Sequence, residues 1–324
     1  MCFIDESNVI GYSIDWFTSA CKKIDKNDEK PFSGDKNMDY TTLSPEEVQH
    51  FLDYGFVHLT NCFDTDFAAQ STSAAFERLG YREDDPATWE QPIIHMPNKG
   101  FVDVKEFAPK AYGAICDLLG GEDRVETPVR WGDGYIVNFK LGADREWVAP
   151  SPESGGWHKD GDFFWHFLDS PEQGLLLIVV WRDIEPRGGG TFMACDSIKP
   201  VAEYLNNNRE GLHPFEGGFG KFIYECKDFR ELTGKAGDVV IMHPFMLHAS
   251  SQNHSGKARF ITNPPVALKA PMNFNRDNVD DFSPVELAVL KALGVERLDF
   301  QIEGERRRFD AKAYREARAQ KQNS

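Results

Sequence analysis

The longest unbroken apolar run in this chain is seven residues, Leu-Leu-Leu-Ile-Val-Val-Trp at 175–181. Crossing a bilayer takes roughly 20 such residues, so no membrane span is expected. From about residue 126 the apolar residues come in short bursts, at 135–141, 174–184, 191–195, 239–242 and 259–263. Turn-rich pieces separate them, such as Pro186-Arg187-Gly188-Gly189-Gly190 and residues 252–256. Many short strands joined by tight turns point to a mainly β domain of the sandwich or barrel kind, jelly-roll in type.

The region before residue 126 reads as helical. Ser44 suits an N-cap, Pro45 the first helical position and Glu47 the capping box, with Gly55 as the stop. A short strand, Phe56-Val57-His58-Leu59, follows. Further helices are expected at 64–79, ended by Gly80, and at 108–119, ended by Gly120-Gly121. A late one starts at Ser283-Pro284-Val285-Glu286. Residues 1–40 read as an N-terminal arm, polar and charged over 22–40. Residues 41–300 read as one domain with a helical flank, and 301–324 as a charged C-terminal helix.

The formal charge of −16 argues against a nucleic-acid surface, because phosphate contacts need Lys and Arg. Residues 305–321 run the other way, with seven basic and three acidic side chains, and read as a solvated helix. Six scattered cysteines with no CxxC pair fit reduced thiols in a cytoplasmic protein. The N-terminus lacks the basic and apolar stretches of a signal peptide. No G-x-S-x-G elbow supports a serine hydrolase.

Chemistry concentrates in Gly155-Gly156-Trp157-His158-Lys159-Asp160-Gly161. Two residues apart on an extended segment means the same face, so His158 and Asp160 look one way and Lys159 the other. A third ligand would complete two histidines and a carboxylate, the set that holds one face of an iron(II) octahedron and leaves the rest open. His243 and His248 are five apart, so on a strand they cannot both face inward. His254 sits in a polar turn. His248, where an apolar strand meets that turn, is the favoured third ligand. Arg259, on the returning strand, can point its fork into the same chamber and pair with a carboxylate.

In order and spacing these parts resemble the phytanoyl-CoA dioxygenase-like branch of the iron(II)/2-oxoglutarate oxygenases. The resemblance takes in His158-X-Asp160, a strand ending at Trp181, Gly188-Gly189-Gly190-Thr191, Gly237-Asp238-Val239-Val240, His248 and Arg259. The opening Leu43-Ser44-Pro45-Glu46-Glu47 joins it, and the whole covers roughly residues 41–265. It implies a double-stranded β-helix (jelly-roll, cupin-like) core, with Fe(II) on His158, Asp160 and His248. It also implies 2-oxoglutarate as co-substrate, with its far carboxylate on Arg259, and O2 as oxidant. Thr191 matches a family position that hydrogen-bonds the co-substrate. Asn138 matches one that often contacts it, although Lys140 shares its parity.

The chain departs from the pattern at Gly189-Gly190, at Ala194-Cys195-Asp196-Ser197 and at Ile261, where Thr262 is a candidate substitute; these place it in an outlying subgroup. The implied reaction is oxidation of a C–H bond of a small metabolite, with succinate and CO2 released and hydroxylation the usual outcome. Phe163-Phe164-Trp165 and Trp181 suggest a partly apolar substrate. The acidic body speaks against coenzyme A thioesters. Two other readings keep the barrel: a cupin-like iron oxidase or other metalloenzyme that does not use 2-oxoglutarate, and a metal-free binding protein. Substrate identity and oligomeric state stay open.

Overall fold

A computed structural model describes residues 40–322; the expected arm, Tyr40 excepted, and Cys2 and Cys21 lie outside the described residues. Helix α1 (Pro45–Tyr54) starts as its sequence dictates. Ser44 Oγ accepts from Glu47 N at 3.2 Å, and Glu47 Oε2 accepts from Ser44 N at 2.8 Å. Gly55 ends it at φ 75°, where a Cβ would lie 2.8 Å from Ile198 Cδ1. The stretch before α1 is tied down by Asp117, whose carboxylate accepts from the backbone N–H of Thr41, Thr42 and Leu43.

The other helices are α2 (Thr65–Leu79), the single turn α3 (Val104–Phe107), α4 (Pro109–Leu119), α5 (Ile198–Asn206), α6 (Pro284–Leu293) and α7 (Ala311–Gln322). Helix α5 was not anticipated. Pro200 discourages a helix, yet it falls in the first turn, where no N–H is needed.

The strands are β1 (Phe56–Leu59), β2 (Ile93–His95), β3 (Phe101–Asp103), β4 (Arg130–Gly132), β5 (Ile136–Asn138), β6 (Leu175–Val180), β7 (Thr191–Ala194), β8 (Phe229–Glu231), β9 (Val239–Met242), β10 (Leu247–Ser250), β11 (Arg259–Thr262) and β12 (Pro265–Val266). The large sheet runs β1-β9-β6-β11-β5-β2, with β12 also on β6, and the small sheet runs β10-β7-β8. A separate ribbon pairs β3 with β4. All these pairings are antiparallel. The strands expected at 135–141 and 174–184 are regular only at β5 and β6, shorter than the apolar stretches implied.

Alternation sorts the side chains into two cores. Leu176, Ile178, Val240, Met242 and Ile261 face inward from the large sheet and pack with Met193 and Met246 from the small-sheet side. Each such buried side chain contributes roughly 1.5–3 kcal/mol. The other faces, with Leu175, Leu177, Val239 and Ile241, join the larger cluster beneath the helices.

The basic C-terminal run is not simply solvated. Arg306-Arg307-Arg308 is extended, not helical, and lies along residues 163–165. Trp165 N donates to Arg307 O at 3.0 Å, Phe309 N to Phe163 O at 2.8 Å, and Arg306 pairs with Asp169 at 2.6 Å. Only the part in α7 matches the expected surface helix.

Candidate active site

Two backbone hydrogen bonds set the centre of the site. His158 N donates to His248 O and His248 N to His158 O, each at 3.0 Å. Such a reciprocal pair fixes two antiparallel residues directly opposite each other. Both imidazoles therefore leave the backbone on one face, with ring centroids 4.4 Å apart. Asp160, two residues on, joins them. Its Oδ1 lies 3.4 Å from His158 Nε2 and its Oδ2 3.5 Å from His248 Nε2. Glycines shape the turn that delivers them: Gly156 has φ 73° and Gly161 φ 115°. A Cβ at Gly161 would meet His166 and Phe164 at 2.7 Å.

The donor set fits a divalent metal. One donor atom from each of His158, Asp160 and His248 lies within 4.8 Å of the others. Cis ligands with bonds of about 2.1 Å sit roughly 3.0 Å apart, so these three donors must draw together to share one ion. The ring orientation fits as well. His158 Nδ1 is 2.8 Å from Gly156 O and His248 Nδ1 3.1 Å from Met246 O. A carbonyl accepts only from N–H, so each Nδ1 carries the proton and each Nε2 lone pair faces the carboxylate. Burial works against a charged Asp160, but in the absence of metal the two imidazoles, once protonated at Nε2 as well, outweigh it and hold the carboxyl well below its usual range. Asn263, which sequence reading missed, donates from Nδ2 to Asp160 Oδ2 at 2.8 Å.

His243 is excluded, as parity requires. It is fully buried on the other side, with Nε2 3.3 Å from Val285 O and Nδ1 accepting from Phe245 N. His254 lies at the rim of a loop, near Gly142 O. His248 is the second residue of β10 and does not end a strand, because residues 243–246 interrupt the apolar stretch.

Arg259 is 2% exposed. It shares the inward parity of Ile261 and Asn263, which line the cavity. Its Nε donates to Gly189 O at 2.8 Å and Nη1 to Ile136 O at 3.3 Å. Among the described residues it has no carboxylate partner. Burial pushes its pKa down to about 9, still charged at neutral pH. Space accounts for the departure from the family pattern at Gly189-Gly190. A Cβ at Gly190 would sit 1.9 Å from Leu232 O, and one at Gly189 2.7 Å from Asn138 Nδ2.

Thr191 lines the cavity. Asn138 stands across the sheet from Arg259, but its amide is engaged: Nδ2 donates to Ser251 O at 2.9 Å and Oδ1 accepts from Leu141 N at 3.0 Å. Only its second Nδ2 hydrogen is left for a co-substrate. Lys140 reaches away to Trp89 O. Thr262 does not substitute at position 261. It faces the outer core, where its Oγ1 accepts from Trp181 Nε1 at 3.1 Å, so Trp181 is outside the cavity too. Of the aromatic segment, Phe163 lines the cavity and Phe164 is packed beneath it. Lys159 turns from His158, Asp160 and His248, as expected, and meets His166 Nδ1 at 3.0 Å over the Phe164 and Phe219 rings.

The cavity has a volume of about 700 Å³. His158, Asp160 and His248 form one part of its wall, and apolar side chains such as Met96, Leu176, Ile178 and Phe215 form much of the rest. No described helix is long and apolar enough to cross a membrane.

The family model for phytanoyl-CoA dioxygenase matches residues 51–261. No curated protein matches the chain in sequence. Among solved structures, AviO1 from Streptomyces viridochromogenes Tue57 is 19% identical, with 71% of this chain and 97% of that one covered and a TM-score of 0.40. The non-heme alpha ketoglutarate dependent epimerase SnoN from nogalamycin biosynthesis is 14% identical, with 68% and 82% covered and a TM-score of 0.41. HygX from Streptomyces hygroscopicus, solved with nickel, 2-oxoglutarate and hygromycin B, is 14% identical, with 70% and 88% covered and a TM-score of 0.40. At such scores these likenesses add no weight to the family match.

Proposed function

We propose, from the premise that the chain belongs to the phytanoyl-CoA dioxygenase family, that His158, Asp160 and His248 hold one ferrous ion and Arg259 binds the far carboxylate of 2-oxoglutarate. The chain is a non-haem iron(II)/2-oxoglutarate-dependent dioxygenase. With O2, the bound iron and 2-oxoglutarate supply an oxidant able to remove hydrogen from a C–H bond, releasing succinate and CO2. We read the two sheets as a double-stranded β-helix and the reaction as hydroxylation of a small, partly apolar metabolite.

The protein's own part is positioning. Gly156 O and Met246 O keep both Nε2 atoms free to ligate. Asn263 holds one carboxylate oxygen of Asp160, which favours coordination through the other. Arg259 neutralises a carboxylate, Thr191 gives its hydroxyl to the co-substrate, and Asn138 braces the sheet opposite Arg259. Apolar walls keep water from the reacting centre.

One observation carries the reading: a buried guanidinium without a carboxylate partner, on the same strand face as residues lining a cavity that also holds two histidines and an aspartate. A buried cation calls for an anion, and 2-oxoglutarate supplies one. The test is succinate release with iron and ascorbate across amino acids, fatty acids and aromatic natural-product precursors. Iron-dependent 2-oxoglutarate turnover is expected, at least uncoupled. An iron oxidase without co-substrate would leave Arg259→Ala active, and a metal-free barrel would show no iron affinity.

A further inference from the structure

Among the described residues seven buried side-chain polar atoms lack a hydrogen-bond partner, and two of them are the Nε2 and Oε1 of Gln173. The other five are single atoms on Arg78, Trp131, Asp169, Glu172 and Arg306, none of which lines the cavity. Gln173 does line it, is 2% exposed, and leaves both its donor and its acceptor unfilled. Burying an amide without a partner costs stability, so the side chain serves the fold poorly. A leucine would fill similar space without that cost.

The position is well placed for recognition. Gln173 lies two residues before β6, whose Leu176 and Ile178 line the cavity. Across from that end of β6 lies β12, which follows Asn263, the residue that holds Asp160. Leu176, Pro265 and Phe163 line the same cavity.

We propose that Gln173 is the specificity-determining residue for the substrate, and that its amide takes a hydroxyl or carbonyl group of an uncharged, largely apolar molecule. This rests on reading the cavity as the iron and 2-oxoglutarate site. An amide offers one acceptor and two N–H donors but no net charge. It matches a group that both gives and accepts a hydrogen bond, and it leaves a buried carboxylate or ammonium unbalanced. The apolar walls take the hydrocarbon body, and the polar group fixes which C–H bond faces the metal.

The test uses the full-length chain with Fe(II) and 2-oxoglutarate under nitrogen, and follows binding of adamantane, adamantan-1-ol, adamantane-1-carboxamide, adamantane-1-carboxylate and adamantan-1-amine by equilibrium dialysis. Wild type is expected to bind the alcohol and the carboxamide about tenfold more tightly than either ion. Gln173→Leu should lose about tenfold for those two and nothing for adamantane, consistent with loss of one or two hydrogen bonds. Its melting temperature should equal or exceed that of wild type, because an unfilled amide has gone. Three results overturn the proposal: no preference of wild type for the neutral polar probes, unchanged alcohol binding by Gln173→Leu, or a lower melting temperature with all probes lost. Calorimetric binding of 2-oxoglutarate to the wild-type iron protein is measured alongside. Its absence faults the co-substrate reading, whereas its presence without probe preference faults Gln173 alone.

Discussion

Replacing Arg259 by methionine separates the energetics of the fold from those of the co-substrate. In the free protein the guanidinium is buried and held only by the carbonyls of Gly189 and Ile136. Burial moves its pKa from 12.5 to about 9. At 1.36 kcal/mol per pH unit, that corresponds to roughly 5 kcal/mol against the charged form. Methionine removes this penalty but leaves Gly189 O without a donor, at about 1–3 kcal/mol, while Ile136 stays paired with Ile261 in the sheet. The relief is the larger of the two, so unfolding free energy in denaturant should rise by about 2–4 kcal/mol. Binding of 2-oxoglutarate has no such compensation. A buried carboxylate that loses its partner costs about 3–5 kcal/mol, or roughly 150- to 5,000-fold in Kd. Anaerobic calorimetry with Mn(II) in place of iron measures it. A Kd within threefold of wild type, in a folded variant, refutes the assignment of Arg259.

Three further outcomes are expected. Asn263→Ala frees one oxygen of Asp160 and should weaken Fe(II) binding about 10- to 100-fold, read by competition with a chromophoric chelator. Burial holds His243 near pKa 3 against an ordinary 6.5, so between those values the unfolded chain binds the extra proton and stability falls as pH falls. From pH 6.5 to 5.0 that amounts to about 2 kcal/mol, and His243→Asn should lose about that much less in denaturant titrations at the two pH values. Asp117→Ala strands the N–H groups of Thr41, Thr42 and Leu43 and should lower stability by about 2–4 kcal/mol, measured in the same way.

What the sequence disclosed followed from local rules. Ser44, Pro45, Glu47 and Gly55 specify a helix without help from tertiary structure, and the helix is there. His158 and Asp160 were legible because a two-residue spacing fixes a common face, and the odd spacing of His243 and His248 separated them. Less was legible where apolar runs carry no alternation. Leu175 to Val180 is buried on both faces, so nothing in it revealed that Trp181 points away from the cavity. Thr262 was readable in hindsight, since an inward Arg259 puts position 262 on the opposite face. Asn263 lies past the end of its strand, and its contact with Asp160 joins residues 103 apart, which no short-range pattern encodes. The same holds for the backbone bridge between His158 and His248 and for the unfilled amide of Gln173. The basic run at 306–308 looked solvated because its partners, Asp169 and the backbone of Phe163 and Trp165, are distant in sequence.

The most direct measurement is an anomalous-scattering crystal structure of the chain with Mn(II) and 2-oxoglutarate under nitrogen. The expected result is one manganese peak bonded to Nε2 of His158, Nε2 of His248 and one carboxylate oxygen of Asp160, with the far carboxylate of 2-oxoglutarate on Arg259. A peak on other side chains, or 2-oxoglutarate bound with Arg259 left unpaired, contradicts it.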